Sequence, residues 1–299
     1  MTASAIRLTA VTRRFGRTIA LDGVTADVPT GVVCGLLGRN GAGKTTLMSI
    51  LAGHDRPSTG GVEVLGSDPF EHAPVMSSIS LIRDNQRYPE DFKLKHVLRV
   101  APRFHERWDM ELAAELVDAF RLPSRTQVKK MSRGQQSGLG IVIGLASRAP
   151  VTIFDEPYLG LDATARRIFA DRLLATRLDE SALRTIVLST HLIDEMAQLL
   201  DHVLVLDAGR LVRSGTTEEV TAGAHSLSGA SEAVLRVAAG RVPLSTHRVG
   251  SLLSLVFAGE APAGLAADAR AAGVQLDPVG LQDLVAALGA APAHEEVAA

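Results

Sequence analysis

An α/β fold built on a parallel sheet is predicted by three observations. A complete glycine-rich loop, Gly38-Arg39-Asn40-Gly41-Ala42-Gly43-Lys44-Thr45, stands between an apolar stretch, Gly31 to Leu37, and a helix-like one, Thr46 to Ala52. Further apolar stretches at 151–155, 185–189 and 203–206 follow in the rhythm of strand–helix units. Ahead of them, Ile6 to Val28 alternates like two antiparallel strands joined by a turn at Arg14 and Gly16.

The loop carries the first chemistry. Gly38, Gly41 and Gly43 let the backbone wrap closely enough for its N–H groups to face phosphate oxygens, and the following helix N-terminus favours an anion. In that pattern Lys44 neutralises the β- and γ-phosphates and Thr45 ligates Mg²⁺, with Asn40 and Thr46 among the residues lining the nucleotide. Downstream, Val151-Thr152-Ile153-Phe154-Asp155-Glu156 is an apolar strand ending in two acids, and Pro157 stops it there. Asp155 is the expected Mg²⁺ partner and Glu156 the base or water-positioning group. Between these units, a helix-rich insertion runs from about 92 to 149, with Asp109 capping a segment whose Leu112, Ala113, Leu116, Val117 and Phe120 share a face.

Met131-Ser132-Arg133-Gly134-Gln135 opens the last helix of that insertion. Alone, Ser-x-Gly-Gln is a helix cap. Between a phosphate loop and an Asp-Glu strand, it resembles the LSGGQ signature of ATP-binding-cassette (ABC) ATPases, with Met131 for Leu and Arg133 for the first Gly. The resemblance implies that Ser132 and Gly134, with Gln135 beside them, reach across a dimer interface to the γ-phosphate of the partner's ATP. It further implies that Asp162, in Gly160-Leu161-Asp162, contacts the opposing subunit, and that His191, after the strand Thr185 to Ser189, bonds the γ-phosphate and holds Glu156 and the attacking water. Phe15 lies where the family places an aromatic under the adenine. The family's Gln between loop and signature is assigned to Gln86, as a ligand of Mg²⁺ and water, although counting from the strand 79–82 puts Asp84 nearer the usual position.

Composition agrees. A chain of 299 residues has room for two domains, and its net charge of -2 with 4% aromatics gives no general case for nucleic acid. The single Cys34 reads as a small buried hydrophobe, the residues Met1-Thr2-Ala3-Ser4 do not resemble a signal peptide, and the longest apolar runs fall short of the roughly twenty residues a membrane helix needs. Residues 221–299 are rich in Ala and Gly and contain no Lys. Helices are expected at 231–239, 262–272 and 281–288, a strand at 251–257, a stretch at 274–276 that leads through Asp277-Pro278 into the last helix, and a frayed end at 294–299.

The expected architecture is a P-loop ABC ATPase core over 1–220, with an antiparallel β subdomain and a helical subdomain at about 92–149, followed by a small α+β accessory domain over 221–299. The resemblance implies an ATP-hydrolysing transporter subunit, a homodimer or heterodimer around two MgATP. Its partner is a transmembrane permease on a separate chain, through which it sits peripherally on the cytoplasmic face of the membrane. Export is the expected direction; the alternative is a soluble ABC switch acting on a macromolecular complex.

Overall fold

A computed structural model describes residues 3–178 and 183–289; the expected frayed end at 294–299 lies outside the described residues. The chain begins with a hairpin of β1 (Ser4–Phe15) and β2 (Thr18–Pro29). It continues through β3 (Val33–Leu37), the glycine loop, α1 (Lys44–Leu51) and β4 (Thr59–Val64), which pairs back onto β1. The turn α2 (Ala73–Met76) and β5 (Ile79–Ile82) precede the helical insertion, made of α3 (Leu94–Val100), α4 (Met110–Ala119) and α5 (Arg133–Ala146). Then come β6 (Val151–Asp155), α6 (Ala163–Leu178), β7 (Thr185–Ser189), α7 (Ile193–Met196), β8 (His202–Asp207) and β9 (Arg210–Thr216).

The main sheet has the order β5-β6-β7-β3-β8-β9, and its first five strands pair in parallel. Strands β3 and β7 are buried along their whole length, which is why they read as continuous apolar runs rather than alternating ones. One core joins the hairpin (Ile6, Leu8, Leu21, Val24), α1 (Leu47, Ile50) and the sheet (Leu36, Ile153). Cys34 sits in that core, where burial pushes its thiol well above the ordinary range. Because β3 lies in the middle of the sheet, the glycine loop leaves it at the carboxyl edge, beside the ends of β6 and β7.

Local chemistry sets the helices of the insertion. Asp109 caps α4, accepting from Leu112 N–H at 2.9 Å, and Ser132 caps α5 in a reciprocal box with Gln135. The far end of α5 is closed by Arg184, a buried cation that belongs to no motif. Its guanidinium donates to the carbonyls of Gly144 (3.0 Å), Leu145 (3.1 Å) and Ala149 (3.2 Å) and to Thr152 Oγ1 (3.0 Å). It therefore satisfies carbonyls that the helix end leaves over, and its charge suits the negative end of the helix dipole. After β7 the chain makes only the single turn α7 followed by a tight 3₁₀ turn at Ala197–Leu199.

The chain divides into two compact units, Met1–Leu211 and Val212–Ala299, the division falling inside β9. After the end of β9, the second unit continues with α8 (Thr217–Ala222). Then follow β10 (Ala224–Ala230), α9 (Ser231–Ala238), β11 (Ser245–Val249), β12 (Leu252–Ala258), α10 (Leu265–Ala271), β13 (Gln275–Pro278) and α11 (Leu281–Leu288). The run from β10 to β13 is a βαββαβ unit with strand order β11-β12-β10-β13 and every neighbouring pair antiparallel, the ferredoxin-like arrangement. Alternation in β12 turns Leu253, Leu255 and Phe257 onto Val234 of α9 and Ala269 of α10. Among them His225, its ring stacked on Phe257, places Nδ1 2.9 Å from the Gly259 carbonyl and Nε2 3.1 Å from Arg241 Nη1.

Candidate nucleotide site

The loop is held in shape by contacts that only glycine permits. A Cβ on Gly38, whose φ is +139°, would lie 2.1 Å from the Leu206 carbonyl oxygen, and one on Gly43, φ +102°, 2.5 Å from that of Ala20. Gly41 also has positive φ but faces open space, and Asn40 beside it is exposed. Lys44, only 9% exposed, donates from Nζ to the carbonyls of Gly38 (2.7 Å) and Arg39 (3.1 Å) and so cross-links the loop. Burial lowers its pKa below the ordinary range, while the nearby charges of Glu156 and Asp155 oppose that shift. Thr46 is half-buried in α1.

At the end of β6 the two acids are set differently. Asp155 Oδ2 accepts from Thr45 Oγ1 at 3.4 Å. Its carboxyl is raised above the usual range by burial first, then by the charges of Glu156 and Asp84, against the pull of Thr45 and Lys44. Glu156 has the left-handed backbone value φ +50°, which for a residue preceding proline is strained by about 1–3 kcal/mol. Its N–H donates to the Ser189 carbonyl (3.0 Å), and its Oε2 lies 2.6 Å from His191 Nδ1. With Nδ1–H donating to the carboxylate, His191 keeps Nε2 for a further partner. Asp155 with Thr45 supplies hard oxygen donors. Mg²⁺ takes one or two carboxylates and completes its shell with water and substrate phosphates, a demand that this pair of oxygen donors can meet.

A raised carboxyl is a penalty on the fold, absent at pH values below the ordinary carboxylate range and full once the pH exceeds the raised value. Asp155→Asn, which keeps the contact with Thr45, is therefore expected to raise the melting temperature at neutral pH in EDTA while abolishing ATP turnover. A lower or unchanged melting temperature in a scanning-fluorimetry measurement would contradict this account of Asp155.

The signature segment is placed by packing as well as by capping. Ser132 Oγ accepts from Gln135 N–H (3.2 Å) and Gln135 Oε1 from Ser132 N–H (3.0 Å). A Cβ on Gly134 would lie 2.3 Å from the Gly160 carbonyl oxygen, and Ser137 Oγ donates to the Leu159 carbonyl at 2.6 Å, so α5 is seated on the turn that leads to Asp162. Asp162 is exposed and accepts from Ala165 N–H (2.8 Å), at the start of α6. Phe15 ends β1 with 49% of its surface open and the Arg13 guanidinium 4.5 Å above its ring. Arg13 is itself tied to Asp55 at 2.8 Å.

Of the two candidates after β5, Gln86 is exposed and its Oε1 lies 3.4 Å from Arg83 N–H. Asp84 makes a connection the sequence did not show, an ion pair with Arg133. Gln86 and Asp84 both line a cavity with Asp155 and Glu156.

A buried lysine fastened to a glycine loop, within reach of the charges of Asp155 and of a strained Glu156 that bonds His191, is equipped to break a phosphoanhydride. The class is that of the P-loop ATPases. A family model described as ABC transporter matches residues 21–159. The daunorubicin resistance ATP-binding protein DrrA3 of Streptomyces coeruleorubidus is 34% identical over 228 residues, 74% of this chain and 71% of that protein. Nod factor export ATP-binding protein I of Cupriavidus metallidurans is 32% identical over 216 residues, 70% of each. The methionine import ATP-binding protein MetN of Rhizobium etli is 32% identical over 238 residues, 73% of this chain and 62% of that protein. The chain belongs to the ATP-binding subunits of ABC transporters and is an ATPase. In fold it is similar to a solved ATP-binding subunit of an ABC transporter (TM-score 0.66, 24% identity, 73% of this chain and 92% of that one). It is likewise similar to a cassette solved as a dimer in a post-hydrolysis state with ADP and phosphate (TM-score 0.61, 21% identity, 71% of this chain and 98% of that one).

Proposed function

We propose that this subunit drives a separate membrane-spanning permease, and that two copies, or one copy and a related subunit, close head to tail around two MgATP. Each site would combine Lys44, Thr45, Asp155, Glu156, Gln86 and His191 of one subunit, with Phe15 under the adenine, and Ser132, Gly134, Gln135 and Asp162 of the other. Thr45 and Asp155, with Gln86, would hold the Mg²⁺, whose charge offsets that of the phosphates. The relatives named for drug resistance and Nod factor export support outward transport.

One observation carries the transport half of this reading. Ile82, Gln86 and Tyr88 line a groove of about 360 Å³ whose walls include Met76, Phe92 and Phe104, and the same three residues also line the cavity that holds Asp155 and Glu156. A segment that borders both spaces can pass the state of the nucleotide to whatever fills the groove. Phe104 is 68% exposed, an unusual setting for so large an apolar ring, and a short apolar helix of the membrane partner suits it. No helix among the described residues is long and apolar enough to cross a membrane, so docking would supply the attachment.

Co-expression with candidate permeases, followed by membrane sedimentation, tests the reading. The parent should sediment only with its partner. Phe104→Asp should cut the sedimented fraction by about tenfold, the scale of a lost interface anchor, with ATP affinity held within twofold. Gln86→Ala should slow coupled transport at near-constant ATP affinity. A protein that stays soluble with every membrane partner points instead to the soluble switch, and a transport defect in Asp84→Ala but not in Gln86→Ala moves the coupling role to Asp84.

A further inference from the structure

The start of α5 carries an ion pair to a distant carboxylate. Its first turn carries no acidic side chain, and Ser132 and Gln135 hold two of the N–H groups that a helix start leaves over. Arg133 then adds a cation where the helix dipole disfavours one. The compensating charge comes from far away in the sequence. Arg133 Nη2 lies 3.2 and 3.1 Å from the two carboxylate oxygens of Asp84, at the far side of the helical insertion.

The residue before Asp84 is fixed in the other direction. Arg83 Nη2 lies 3.2 Å from Ser49 Oγ, on α1, and 3.2 Å from His54 Nδ1, just beyond it. Residues 83 and 84 thus bridge the phosphate-loop helix to the signature helix, with one side chain reaching each way. The Asp84 arm is the exchangeable one, because its ion pair is open to solvent, with side-chain exposures of 62% for Arg133 and 31% for Asp84.

We propose that Arg133 is a phosphate ligand held in reserve by Asp84, and that the γ-phosphate of ATP on the opposing subunit replaces the Asp84 carboxylate when the two halves close. This rests on the head-to-tail reading. A guanidinium offers the same planar set of N–H donors to a carboxylate or a phosphate, and the triphosphate brings more negative charge to the same helix start. Closure then returns an unpaired Asp84 to the cavity it shares with Asp155 and Glu156. Arg133 is a substitution at a position where the signature pattern has glycine, so this ligand would be an addition to the shared machinery.

A double-mutant cycle in a Glu156→Gln background tests the exchange, with dimerisation in MgATP measured by sedimentation velocity. Arg133→Gly should weaken the dimer by about fivefold or more, and Asp84→Asn, which frees Arg133, should strengthen it by about threefold, within the range of couplings between contacting charges. The pair of substitutions should match Arg133→Gly alone, since Asp84 has nothing to restrain once the cation is gone. An Asp84→Asn effect of the same size with and without Arg133 in a parent that dimerises normally overturns the exchange and leaves the sandwich standing. A Glu156→Gln parent that stays monomeric removes the sandwich, and the exchange with it. Hydrogen exchange of the nucleotide-free monomer gives an independent check. Arg133→Gly should speed exchange of the amides at 84–88, and unchanged protection there shows that the pair restrains nothing.

Discussion

Glu156→Gln is expected to lower ATP turnover by about 10²–10⁴-fold, the range a positioned general base supplies, while leaving MgATP bound. The amide has the shape of the carboxylate and can still bond His191 Nδ1, so the strained turn at φ +50° and the 2.6 Å contact have every reason to persist. What is lost is basicity toward water. If γ-phosphate holds the two halves together, a variant that binds ATP and cannot cleave it should be trapped as a dimer. Phosphate release and mass by light scattering, with and without MgATP, read both effects. Turnover within tenfold of the parent would remove Glu156 from the role of base, and an unchanged mass would remove the sandwich.

Lys44→Ala should weaken ATP binding by about thirtyfold or more and bring turnover below detection, since a hydrogen bond to a charged group contributes about 1.5–3 kcal/mol and Lys44 is the buried cation of the loop. Two losses add here. The phosphates lose Nζ, and the loop loses the cross-links to Gly38 and Arg39 that close it. Lys44→Arg should not restore binding, because the fork of the guanidinium cannot enter a position that is 9% exposed and shaped to a single ammonium. Calorimetric titration with ATP decides the matter, and an affinity within threefold of the parent in Lys44→Ala would show that the loop binds phosphate by its amides alone.

How much of this was legible beforehand depends on how far apart the partners lie in the chain. The phosphate loop is contiguous, so its strand, glycines, lysine and helix could be read together, and the five parallel strands announced themselves as apolar runs because both faces of the sheet are covered. In the C-terminal unit the amphipathic helices and β12 were likewise visible. Strands β10 and β11 were not, since Ala224–Ala230 mixes Ser and Gly with its apolar residues and Ser245–Val249 is almost entirely exposed. β4 hides behind Thr59-Gly60-Gly61 for the same reason. Arg184 gave no signal at all, because its carbonyl partners stand 35 to 40 residues earlier. Arg133 could be noticed as a departure from a pattern, but its pairing with Asp84, 49 residues away, needed the fold to bring α5 beside the end of β5.

The contact between Gly134 and Gly160 has a consequence for timing. No atom larger than hydrogen fits between the start of α5 and that turn, and Ser137 fastens them a second time. The two therefore shift as one piece, with no play between them. The turn also follows Asp155 and Glu156 by only a few residues, on the same stretch of backbone. In a head-to-tail pair, whatever α5 feels of the opposite nucleotide would be delivered to Asp155 and Glu156 of its own subunit. In such a pair each ATP would hear of the other's cleavage through a seam one hydrogen wide, and the two sites would keep a common clock.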